Sequence, residues 1–326
     1  MVNKSLIKLA GLVAVLSLAL AGCGSVVGGG GQAAGALADV DNSDFSYTVG
    51  SKDFTEQLIL GQIAVQALEA TGADVTDQTN LAGTDAVRSA LVNGDIDMYW
   101  EYSGTNWINH LGNTDPVFPA EEQYRVAKEA ELEENNIVLL DRAPFNNTYA
   151  LAMRSEAPEE VPPLQDVTNL SDIGPLIQNN PDAATLCVES EFRSRDDGLP
   201  GMEEKYGYQF PEGNVFLFDT GVVYDRTDAG DPCNFGEVFT TDGRIAALDL
   251  TLIEDNEDFF PIYNPAINTR QEVYQENQEG LNNTFSPVAE AIDTQTMQQL
   301  NASVDVDGEA PEDVAQQWLQ DQGFIE

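Results

Sequence analysis

The side chains most able to do chemistry cluster in Asp97-Met-Tyr-Trp-Glu-Tyr-Ser-Gly-Thr105, which reads as a short strand running into a turn that opens a helix. Tyr102 and Thr105 fall at that junction. In α/β proteins such a junction presents free backbone N–H groups and the positive end of a helix to the ligand crevice. The same aromatics taken alone would serve equally well as core. Catalytic options are thin. The one histidine, His110, lies between Asn109 and Leu111 on an expected helix and reads as incidental, because a lone imidazole without partners is neither a base nor a metal site. No Gly-x-Ser-x-Gly elbow, Walker A loop, His-Glu-x-x-His or Gly-x-Gly-x-x-Gly is present. Against 56 Asp and Glu residues, any carboxylate pair chosen for glycoside hydrolysis or calcium is background. The residues therefore point to a binding protein, with no catalytic residue, metal or cofactor expected; a secreted acidic hydrolase is the minority alternative.

The elements that would position these side chains follow an α/β rhythm. Phe45–Gly50 is a short alternating strand, and a helical pattern runs through Leu58, Ile59, Ile63, Ala67 and Leu68 to Gly72. A second strand is expected over Val75–Leu81, a helix over Asp85–Val92 closed by Asn93-Gly94, and a third strand over Asp95–Tyr102. Strand, helix, strand, helix, strand in fewer than about 60 residues implies a largely parallel sheet. Beyond a charged helix at Glu121–Glu134 and a strand at Val138–Leu140 the rhythm restarts. Strands are expected at Ala184–Val188, Val215–Phe218, Gly236–Phe239 and Leu250–Ile253, and helices at Leu199–Tyr206, Thr294–Asn301 and Pro311–Gln322. No fixed-period repeat is present, which excludes solenoids and propellers. Two α/β units with the middle one inserted imply two lobes with a cleft between them.

A length of 326 residues fits two lobes. The 14 Lys and Arg against 56 Asp and Glu leave a net charge of −42, which excludes nucleic acid or an anionic membrane surface as an electrostatic partner. The acidic residues are scattered among apolar positions, which suits a solvated surface in a halophilic, high-salt setting. At the N-terminus, Lys4 and Lys8 precede an apolar stretch, Leu9 to Ala21, too short for a comfortable span. Its end, Leu20-Ala21-Gly22-Cys23, resembles a bacterial lipobox. That implies a signal peptide over 1–22, lipidation of Cys23, and anchoring to the cell membrane on its extracytoplasmic face. Residues 23–45, with a Gly run at 28–31, read as a flexible tether. In that oxidising setting Cys187 and Cys233 form an expected disulfide, two buried thiols being the alternative. Closing a loop of about 47 residues contributes roughly 3–4 kcal/mol in the chain-entropy picture.

Seven segments, in order, are Val49-Gly-Ser-Lys-Asp-Phe-Thr-Glu-Gln57, Gly83-Thr84, Glu101-Tyr-Ser-Gly-Thr105, Asn147-Thr-Tyr-Ala-Leu151, Arg195-Asp-Asp-Gly-Leu-Pro-Gly201, Phe239-Thr-Thr-Asp-Gly-Arg-Ile245 and Phe259-Phe-Pro-Ile-Tyr-Asn264. From about residue 46 to the end, the chain resembles the osmoprotectant (glycine betaine/choline/carnitine) substrate-binding proteins of ABC importers. The resemblance implies a type II periplasmic-binding-protein fold, with lobe I from 46–147 and 258–326 and lobe II from 148–257. It also implies a small quaternary ammonium ligand, a membrane permease as partner, and a monomer. A methylated ammonium has no N–H to donate, so aromatic faces are its natural hosts. By resemblance the cage would be Tyr102, Tyr149, Phe239 and Tyr263, with Phe239 where relatives often carry Tyr. A ligand carboxylate would meet Lys52, Thr105 and Arg195. Gln57, Asn147 and Glu191 match further contacts. A receptor of the same fold for another compatible solute or an amino acid is the nearest alternative.

Overall fold

The computed structural model describes residues 31–326, so the leader and Cys23 lie outside the described residues. Two five-stranded sheets organise the chain. The first contains β1 (Ser46–Lys52), β2 (Asp74–Leu81), β3 (Met98–Tyr102), β4 (Ile137–Arg142) and, from far along the chain, Pro265–Arg270. The second holds β5 (Tyr149–Arg154), β6 (Leu186–Val188), β7 (Val215–Leu217), β8 (Phe235–Phe239) and β9 (Leu250–Ile253). With Pro265–Arg270 as β10, the strand orders are β2-β1-β3-β10-β4 and β7-β6-β8-β5-β9. Each sheet is parallel over its first three strands. The fourth strand, β10 or β5, is the one that enters from the other lobe, and it runs antiparallel to both neighbours. The sheets are therefore mixed, not largely parallel.

Helix α1 (Thr55–Ala70) packs across the first sheet, burying Ile59, Leu60, Ile63, Ala64, Ala67 and Leu68. It is apolar on nearly every side because it lies between the sheet and the C-terminal helix Pro311–Asp321. At 16 residues it reaches about 24 Å, which carries its first turn to the cleft and its last turn to the far pole of the lobe. Helix α2 (Thr84–Asn93) starts after Gly83 and stops at Gly94 in a left-handed conformation, as the Asn-Gly pair predicts. Lobe II has a core of its own around Leu151, Ile173, Leu186, Val188, Phe192 and Phe235. Cys187 on β6 is disulfide-bonded to Cys233 just before β8, at a sequence separation of 46, and both are fully buried.

The expectation of a flexible tether up to residue 45 needs correction. Ala33 bridges to Ile325, Glu326 N donates to Gln32 O, and Leu37 is buried in the lobe I core. Asn42 is buried too, donating from Nδ2 to Thr71 Oγ1 at 2.7 Å and to Thr284 Oγ1 at 3.1 Å. A segment of small residues has docked because it covers the chain's own C-terminus.

Candidate ligand-binding site

A cavity of about 620 Å³ lies between the lobes, and Tyr102, Tyr149, Phe239 and Tyr263 all line it. Tyr102 is the last residue of β3, Tyr149 and Phe239 face each other across the β5–β8 pairing, and Tyr263 lies in the passage between β9 and β10. The rings touch in sequence around a circuit. Tyr102 meets Tyr263 edge-on at 6.4 Å, Tyr263 meets Tyr149 at 5.6 Å, and Tyr149 meets Phe239 at 5.2 Å. Phe54, a ring absent from the sequence-based expectation, closes the circuit at 5.3 Å from Phe239 and 6.4 Å from Tyr102. Its signal was available in Lys52-Asp-Phe-Thr55, where an aromatic stands directly before a helix start. A regular five-sided figure with such edges has its centre about 5 Å from each corner, inside the ~6 Å reach of cation–π attraction.

Behind the Tyr102 ring lies a second residue that sequence reasoning passed over. Glu56, in the first turn of α1, is buried and lines the cavity. Its Oε1 accepts from Tyr102 Oη and Asn147 Nδ2, both at 2.8 Å. Its Oε2 accepts from Thr241 Oγ1 at 2.5 Å and Asn301 Nδ2 at 3.1 Å. Burial pushes this carboxyl up to about 7, although the hydrogen bonds from Thr241, Tyr102, Asn301 and Asn147 pull the other way.

Lys52 also lines the cavity, but its Nζ is 2.7 Å from Glu101 Oε1 and 5.4 Å from the Tyr102 ring centre. Glu101 Oε2 accepts from Tyr99 Oη at 2.8 Å and lies 3.1 Å from His110 Nε2. Burial alone would raise this carboxyl, but Lys52 and His110 beside it hold it well below the usual carboxylate range. His110 is therefore not incidental: it is a buried support for the strand that ends in Tyr102. Its partner, Glu101, lies nine residues back on β3, so a local reading could not find it.

On the other side of the cleft, Arg195 forks onto Asp197, Nε to Oδ1 at 2.8 Å and Nη2 to Oδ2 at 2.7 Å. Its other N–H groups reach Asn109 Oδ1 at 2.7 Å, Glu191 Oε2 at 3.2 Å and Thr84 Oγ1 at 3.4 Å, with Thr105 Oγ1 at 3.5 Å. Tyr263 Oη donates to the same Asp197 at 2.6 Å, which links a cavity ring to this clasp. Glu191 spans the lobes as well, accepting from Thr84 N at 2.6 Å and Thr84 Oγ1 at 2.8 Å, so that a lobe II carboxylate caps the α2 N-terminus. Burial opposes its charge, but Lys52 and Thr84 hold it below the ordinary range. Of the expected residues, only Gln57 is absent from the cavity wall. It is fully buried behind Tyr102, where it accepts from Lys52 N at 3.4 Å. Among the described residues no cluster of three or more His, Cys, Asp or Glu could hold a metal ion, and no helix is long and apolar enough to cross a membrane.

Two mixed sheets joined by crossovers, with an aromatic-walled cavity between them, define a two-lobed solute-binding protein. Residues 46–321 match the family described as OpuAC, the substrate-binding domain of the ABC-type glycine betaine transport system, and the chain belongs to that family. It is 36% identical over 282 residues to the glycine-betaine-binding protein of Pseudomonas aeruginosa, covering 85% of this chain and 88% of that one. It is 32% identical over 281 residues to the glycine betaine-binding protein YehZ of Escherichia coli, covering 85% and 90%. The structure of apo YehZ from Escherichia coli matches with a TM-score of 0.62 at 31% identity, over 86% of this chain and 99% of that one.

Proposed function

We propose that this protein captures a small quaternary ammonium osmoprotectant, such as glycine betaine or choline, between Tyr102, Tyr149, Phe239, Tyr263 and Phe54. It then delivers the solute to the permease of an ABC importer. The observation that carries this reading is the closed circuit of five rings contributed by both lobes. No half of it surrounds a cation alone, so binding favours the closed arrangement. Lipidation of Cys23 would hold the protein, as a monomer, on the extracytoplasmic face of the cell membrane near that permease.

A second reading within the class has its own support. All five N–H groups of Arg195 are already engaged, and Lys52 is paired with Glu101. A ligand carboxylate would have to displace bonds of Arg195 and share Lys52 with Glu101. Asn147 Oδ1, by contrast, is a buried acceptor without a partner among the described residues, on a side chain that lines the cavity. A hydroxyl could donate there, which favours choline over glycine betaine. Calorimetric titration with glycine betaine, choline, carnitine and proline betaine in molar salt tests both points. Binding of at least one is expected, choline the tightest on the second reading. Heats no larger than dilution for all four would remove the proposal.

A further inference from the structure

We propose that the Glu56 carboxylate is the anionic wall of the cage, so that uptake of a cation is coupled to loss of a proton from this side chain. The inference rests on the cage reading above and deepens it. Glu56 joins parts of the molecule that must agree for the cage to exist. Tyr102 brings β3, Asn147 the first crossover, Thr241 the lobe II loop after β8, and Asn301 the C-terminal part of lobe I. An Asn Nδ2 can only donate, so two of the four bonds require acceptor lone pairs on Glu56. The arrangement is complete with Glu56 ionised and loses a bond or a rotamer when it is protonated.

The charge has a direct use. A phenol that donates to a carboxylate has a more electron-rich ring, and that ring is a wall of the cage, so Glu56 strengthens the attraction of Tyr102 for a cation while also acting through space. No cation among the described residues touches Glu56. Of the cations lining the same cavity, Lys52 is held by Glu101, Arg195 by Asp197 and Glu191, and Arg244 by Asp242 and Asp305. Asp53 adds only negative charge. Glu56 is a buried carboxylate with four neutral donors and no counter-ion, and an arriving quaternary ammonium would supply that counter-ion. Burial pushes this carboxyl up to about 7, which places the change within reach of ordinary buffers. A cation stabilises the ionised form, so by linkage binding pulls the Glu56 pKa down and releases protons, and acid weakens binding.

Choline is the probe, because it carries a permanent charge and no group that titrates near neutrality. The full chain is titrated calorimetrically at about pH 8, 7 and 6 in fixed salt, in buffers of different ionisation enthalpy. Affinity is expected to fall about tenfold from pH 8 to pH 6, with net proton release near pH 7. Glu56→Gln is expected to lose the slope, binding about tenfold more weakly than wild type at pH 8 and about equally at pH 6. A slope that persists in Glu56→Gln overturns the proposal and moves the proton to Glu237, the other buried carboxyl raised into this range, to about 8. If Glu56→Gln does not fold, the wild-type proton count still decides. Choline binding without a pH slope or proton release overturns the role of Glu56 alone. A chain that binds neither choline nor glycine betaine at any pH overturns the cage itself.

Discussion

Phe54 differs from Tyr102 and Tyr263 in how it is held. Tyr102 is hydrogen-bonded to Glu56 and Tyr263 to Asp197, whereas Phe54 is fixed only by stacking on Phe239 and Tyr102 and by preceding the first turn of α1. Removing it should therefore cost binding more than stability. Phe54→Ala is expected to weaken choline or glycine betaine by roughly three- to thirtyfold, the worth of one cation–π face, with a melting temperature within a few degrees of wild type. Tyr102→Ala and Tyr263→Ala should each lose at least about tenfold, since they also release Glu56 or Asp197. Wild-type affinity in Phe54→Ala would show that the circuit is closed without it. Tyr102, Tyr149, Phe239 and Tyr263 were legible because they stand in recognisable segments. Phe54, Glu56 and Asp197 stand in those same segments and were still missed. An aromatic or a carboxylate becomes part of a wall only through partners remote in sequence, such as Thr241 for Glu56, at a sequence separation of 185.

At the level of elements, the turn Ser103-Gly104-Thr105 is where the sequence and the site meet most directly. A Cβ on Gly104 would lie 2.8 Å from two atoms of the Tyr263 ring and 3.1 Å from Ile262 O, so glycine is needed for the ring to lie against the start of this turn. Gly104→Ala should push the Tyr263 ring aside and weaken ligand binding about three- to tenfold while leaving the residue's chemistry untouched. Titration of that variant alongside Tyr263→Phe separates ring placement from loss of the Asp197 bond; unchanged affinity in Gly104→Ala would mean the ring is not held by this contact. Elements with local signals were readable: α2 with its Asn-Gly stop, the helix Leu199–Tyr206 and β9 all fall where the pattern puts them. Two others were not. β10 begins with Pro and carries Asn and Thr, residues that promise no strand, and it is a strand because it is buried between β3 and β4. The helix Gln278–Ala291 contains Gly280, two Asn and Pro287, and exists because Leu281, Phe285, Val288 and Ala289 are buried against lobe I.

For the whole molecule, the net charge of −42 acts on stability and on ligand capture in opposite directions. Few of the carboxylates have a cation available, and exposed pairs such as Arg125 with Glu122 and Glu129 contribute little. The compact chain therefore carries self-repulsion that salt relieves, with a screening length of about 10 Å at 0.1 M falling to about 3 Å at 1 M. The melting temperature should rise steeply between about 0.05 and 1 M KCl and then flatten, and sucrose at matched osmolality should reproduce only a minor part of the rise. A flat curve over that range would remove the high-salt reading of the composition. The same field draws cations toward the cleft. Choline's association rate should fall as KCl rises from about 0.1 to 2 M, while that of glycine betaine, a zwitterion, changes little. The dissociation rate, set inside a cavity whose rings are buried between the lobes, should respond weakly to salt for both. Stopped-flow measurement of the two solutes across the salt series separates these effects. Equal salt dependence of the two association rates would mean that the acidic surface serves the stability of the fold and has no part in capture.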